Sequence, residues 1–127
     1  MTKYSKPEAR LVLVTAPNEA GARAIARALV GDGLAACVNV LGPIRSIYRW
    51  RGAIEDEAEY LLLIKTSARL YTRLERRVQE LHSYEVPEVI ALPIETGSAP
   101  YLKWLLDSTG PSLRQAPKRA RAVRPTR

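Results

Sequence analysis

The chain has 127 residues, 46% of them hydrophobic, which suits one domain able to bury a core. It carries 20 basic and 13 acidic residues, for a net charge of +7, with a single cysteine and a single histidine. That inventory excludes an internal disulfide and excludes a zinc site of the usual Cys/His kind within one chain.

The start, MTKYSKPEAR, has no apolar signal-peptide core, and residues 1–9 read as an N-terminal extension. RLVLVTAP, 10–17, is a short leucine-rich and β-branched run ended by proline, which predicts a buried central strand. NEAGARAIARALVGDG follows as a helix. Asn18 is its cap, and Ala22, Ile25, Ala26, Leu29 and Val30 form one apolar stripe. Gly31 and Gly33 supply the stop.

LAACVNVLGPIRSIYRWRG, 34–52, is long for a strand. Ala36, Val38 and Val40 share one face; Cys37, Asn39 and Leu41 share the other. Gly42-Pro43 interrupts the ladder as a bulge or kink would. Beyond it, Ile44, Ser46, Tyr48 and Trp50 alternate with Arg45, Ile47, Arg49 and Arg51. Gly52 begins a turn, and EDEAE, 55–59, leads into YLLLIKTS. The pattern predicts a long hairpin, with Arg45, Arg49 or Arg51 near Glu55, Asp56, Glu57 or Glu59 across the ladder.

Ser67 is expected to cap a second helix, with Leu70, Leu74, Val78 and Leu81 as its stripe and Tyr71 alongside. PEVIALPIETG reads as a fourth strand, whose Pro87 and Pro93 limit pairing on one side. Ser98 caps a short closing helix, APYLKWLLDST, stopped by Gly110-Pro111. Residues 111–127 read as a basic, flexible tail. Within it RQAPKRARAVRPTR, 114–127, holds six basic residues and no acid, leaving 14 basic against 13 acidic over 1–113. The excess charge therefore belongs to the tail. Without an aromatic side chain for base stacking, the tail is suited only to weak contact with RNA or acidic surfaces. No run approaches the roughly 20 apolar residues of a membrane span, and the expected location is the cytoplasm.

The order predicts an α+β, ferredoxin-like βαββαβ domain over 10–110. It would have an antiparallel sheet, two helices on one face, a long hairpin between the second and third strands, and an extra C-terminal helix. The uncovered sheet face and the overhanging hairpin predict a closed homo-oligomer.

ACVNVLGPIRSIYRWRGAIE, EYLLLIKTS, ELHSYEVPEVIALPI and YLKWLLDST, in this order and spacing, closely resemble the CutA family of divalent-cation-tolerance proteins. The resemblance covers residues 10–109. It implies a homotrimer, akin to nitrogen-regulatory signal proteins, with a role in tolerance of copper or another divalent cation. In copper-binding relatives a cysteine and a His-His pair serve as ligands, and the matching positions here are Val14, Leu81 and His82. Valine and leucine offer no lone pair to a metal, which leaves His82 as the candidate metal ligand. The resemblance also implies a cleft between subunits drawn from Cys37, Tyr48, Trp50, Lys65, His82, Tyr84 and Glu88.

Each of these residues has a plainer reading. His82 can close its helix, its cationic form complementing the C-terminus. Cys37 can be a small buried hydrophobe, Lys65 a solvated strand end, and Tyr48 with Trp50 a packing pair. The leading expectation is a non-enzymatic, trimeric binding or signalling protein that responds to metal ions and holds a small ligand or divalent cation at its clefts. Two alternatives stay open: a small enzyme using Cys37, Lys65 and His82, and a scaffold whose tail binds polyanions.

Overall fold

A computed structural model describes residues 8–110; the expectations for the first residues and for the tail beyond Gly110 lie outside the described residues. In chain order the elements are β1 (Ala9–Ala16), α1 (Glu19–Gly31), β2 (Cys37–Trp50) and β3 (Ala53–Ser67). A 3-10 turn (Ala68–Leu70) then leads to α2 (Tyr71–Leu81), β4 (Val89–Pro93) and α3 (Ala99–Asp107). The four strands make one antiparallel sheet in the order β2-β3-β1-β4. This is the expected α+β arrangement, with β4 an edge strand paired only to β1.

Strand parity divides the sheet into two faces. Val12 pairs with Ile64 and Val14 with Leu62, and these side chains lie under Ala22, Ile25 and Leu29 of α1 and under Leu74 and Val78 of α2. Each large core side chain contributes about 1.5–3 kcal/mol by leaving water. The other parity puts Leu11, Leu13, Leu61, Leu63, Ile90 and Leu92 on the opposite face. There Leu41, Ile90 and Leu92 remain exposed. The closing helix α3 packs against β1 and β3 and buries Leu105.

The helix ends are set locally. Asn18 Oδ1 accepts the Gly21 amide at 2.7 Å, and Ser98 Oγ accepts the Tyr101 amide at 3.3 Å, as their positions predict. Gly33, at φ 75, lets the chain turn out of α1; a Cβ there would meet the Gly110 carbonyl oxygen at 2.9 Å. The second helix begins differently from expectation. Ser67 has an extended backbone, but its hydroxyl caps nothing, is fully buried and has no hydrogen-bond partner among the described residues. A 3-10 turn intervenes because Leu70 folds into the core ahead of α2. At the other end Leu81 is exposed, so the buried stripe stops at Val78.

The long hairpin is present. The register slips between Leu41 and Ile44, around a cis Gly42-Pro43 bond, as a bulge requires. A Cβ on Gly42 would overlap the Tyr60 ring. The tip is a two-residue turn, Arg51-Gly52, with φ of 50 and 83, the conformation that matches strand twist in tight hairpins. β1 pairs only with Tyr60 to Ser67 of β3, so Ala53–Glu59 and Ile44–Trp50 project past the sheet. Across this overhang Arg45 pairs with Asp56 at 2.8 Å, one of the expected contacts, whereas Arg51 reaches Glu85 at 3.4 Å instead. No helix among the described residues is long and apolar enough to cross a membrane.

Candidate functional site

The end of α2 builds one wall of a cleft. His82 occupies the C-cap with an extended backbone, and its amide donates to the Val78 carbonyl at 2.9 Å. The extended backbone carries the ring away from the helix and toward β1. Nδ1 accepts the Tyr84 amide at 3.0 Å, so the proton sits on Nε2, which donates to the Thr15 carbonyl at 2.7 Å. His82 therefore closes its helix by tying it to β1 rather than by bonding the helix's own free carbonyls. Both ring nitrogens are occupied, and a metal could bind only by displacing one of these bonds.

The chain then folds Tyr84 over the hairpin root, with its ring centroid 4.7 Å from that of His82. Its hydroxyl donates to Glu59 Oε2 at 2.7 Å. Glu59 is only 5% exposed. Farther out, the Tyr48 hydroxyl donates to Glu57 Oε1 at 2.9 Å. Burial, reinforced by the bond to Glu59, pushes the Tyr84 phenol far up from its ordinary value. The bond to Glu57 is the main cause of a smaller rise at Tyr48. Both phenols thus stay protonated as donors. Glu88 is also raised, by burial first and by the charge of Glu59 second.

These groups surround a cleft of about 790 Å³. Tyr48, Trp50 and Tyr84 give it aromatic surface, and Glu55, Glu57, Glu59, Glu85 and Glu88 give it carboxylates. Arg51 is the only basic residue among the described lining. It pairs with Glu85 and sits 5.2 Å above the Trp50 ring. Oxygen donors and π faces converge here with little positive charge to offset them, an electrostatic setting that favours positive charge.

Of the residues singled out in the sequence, Tyr48, Trp50, Tyr84 and Glu88 line this cleft, and His82 braces it from behind. Cys37 and Lys65 stand elsewhere. They are direct partners across β2 and β3, with the Lys65 ammonium 2.5 Å from Asn39 Oδ1 and the Cys37 sulfur 4.0 Å from the same oxygen. Lys65 lies four residues along β3 from Leu61, the partner of Thr15, a separation of about 13 Å. One chain therefore does not bring Cys37 and Lys65 to His82. Val14 is in the core, on the face away from Thr15.

Glu55, Glu57 and Glu59 were legible only as charge partners for the hairpin arginines. Their spacing of two residues was the missed signal. They share the parity of Leu61 and Leu63 and so face the cleft, while Asp56 faces away toward Arg45.

Comparison with known proteins agrees with this architecture. The sequence profile of the family described as CutA1 divalent ion tolerance protein matches residues 10–108. A Thermus thermophilus protein named divalent-cation tolerance protein CutA is 50% identical over 100 residues, spanning 79% of this chain and 97% of that one. Human protein CutA is 52% identical over 96 residues, which are 76% of this chain and 54% of the human protein, so the chain spans about half of that relative. The crystal structure of CutA1 from Oryza sativa superposes with a TM-score of 0.80 at 43% identity, covering 83% of this chain and 96% of that one. With that profile match, those identities and that superposition, the chain belongs to the CutA1 divalent ion tolerance family.

Proposed function

We propose that the chain works as a homotrimer in the response to divalent cations, holding a cation or small cationic ligand at clefts between subunits without catalysing a reaction. The observation that carries this reading is the Glu59 carboxylate, little exposed and bonded by Tyr84, in the lining of an acid-rich cleft. Carboxylate and phenol oxygens suit hard divalent cations better than soft ones. Glu57, Glu59 and Glu88 would supply the donors. The copper set of the relatives fits poorly here. Val14 and Leu81 have no donor atom, and the His82 nitrogens are both engaged. Among the described residues no three His, Cys, Asp or Glu side chains are grouped closely enough to hold a metal. Convergence of ligands from neighbouring copies is therefore part of the proposal. A lone cysteine suits a reducing compartment, and we place the protein in the cytoplasm.

Calorimetric titration with Mn(II), Zn(II) and Cu(II) tests the reading. Wild type and His82→Ala should bind a divalent cation alike, and Glu59→Gln should weaken binding about tenfold, a loss of about 1.4 kcal/mol. Absence of binding by the wild-type assembly, or an unchanged isotherm for Glu59→Gln, would rule it out.

A further inference from the structure

We propose that the basic segment 114–127 docks in the acidic cleft as a tethered polycation that an incoming divalent cation must displace. The regulatory part of this inference rests on the cation reading above; the docking does not. Charge is the first argument. Five carboxylates line the cleft against one arginine that is already paired with Glu85. Glu59, 5% exposed, lines the same space and is bonded there by a neutral phenol. The segment carries six basic residues and no acid.

The chemistry of the walls is the second argument. Guanidinium groups stack on tyrosine and tryptophan faces, and Arg51 over Trp50 already makes such a contact in this cleft. Five of the six basic residues in 114–127 are arginines.

Reach is the third. The last described residue, Gly110, is fixed beside α1, its amide donating to the Gly33 carbonyl at 2.8 Å. That is the end of the sheet where β2 starts, opposite Lys65. From Lys65 to Glu57 is eight strand residues, about 26 Å. The 17 residues beyond Gly110 can span at most about 60 Å when extended. A flexible chain of that length would have an end separation of about 20–25 Å. The cleft of the same chain and that of an adjacent copy both fall within reach, and tethering holds the segment there at about millimolar effective concentration.

The shared domain does not contain this device. The family profile stops at residue 108, and 79% of this chain suffices to match 97% of the Thermus relative. The competition would be a property added to the common fold.

Zero-length carbodiimide coupling of the full chain, mapped by mass spectrometry, tests the docking. Lys118 should form an amide with Glu55, Glu57, Glu85 or Glu88, and the link should vanish in about 0.5 M salt, where charges are screened within a few ångströms. The exposed Lys103–Asp107 pair, 2.6 Å apart, reports that coupling worked. A sample linked at Lys103 but not from Lys118 to the cleft would overturn the docking. Full-length protein carrying Lys118→Gln, Arg119→Gln, Arg121→Gln and Arg124→Gln should bind Mn(II) about threefold or more tightly than wild type. Equal affinities would overturn the competition. A Lys118 link to the cleft with no Mn(II) binding by either protein would uphold the docking and reject the cation reading instead.

Discussion

The two bonds of the His82 ring hold together three pieces of chain: the end of α2, the end of β1 and the loop carrying Tyr84. Truncation leaves the Thr15 carbonyl and the Tyr84 amide without a protein partner. His82→Ala should therefore lower the unfolding free energy by about 1–3 kcal/mol in urea denaturation. Helix closure was readable from LHSYEVPE, because a polar residue followed by Pro87 must end the helical run. The partner was not, since Thr15 lies 67 residues upstream and is brought close only by the sheet register. Glu88, one of the cleft residues anticipated from sequence, carries a pH signature. Its carboxyl is raised above 4.5 by burial and by Glu59, so the folded state binds its proton more tightly than the unfolded chain does. The benefit is complete below the ordinary carboxylate range and is lost as pH climbs through the folded value. Stability measured from pH 4.5 upward should fall in wild type and fall less in Glu88→Gln.

At the level of elements, Ser67 separates two readings with opposite signs. As a helix cap its replacement by alanine would cost about 1 kcal/mol. As a buried hydroxyl with no partner among the described residues, which is how it stands, Ser67→Ala should leave the melting temperature unchanged or raise it, by the equivalent of up to about 1 kcal/mol. Period-2 and period-3.6 patterns revealed every strand and helix, and Gly42-Pro43 marked the bulge, because these signals are local. The 3-10 turn escaped notice because the core claims Leu70 before α2 begins. The acidic face of the hairpin was legible in principle. Glu55, Glu57 and Glu59 alternate with Asp56 and Ala58, and strand parity alone sends them to the side of Tyr48.

For the whole molecule, the sheet has one face packed by helices and another where Leu41, Ile90 and Leu92 stay in contact with water. A face of this kind is the natural site for copies to meet. Ile90→Glu, a change at an exposed residue, should be harmless to an isolated chain but should shift sedimentation from three chain masses toward one. A single-chain particle for wild type would contradict the proposed trimer. Glu59 is little exposed where the paired strands leave the sheet, and its charge is felt by Glu88. If the cleft takes a cation as proposed, heat resistance becomes a gauge of occupancy. Ligand at about a hundred times its dissociation constant would add about 2.7 kcal/mol. The melting curve of untreated protein would then reveal whether it was purified with its guest in place.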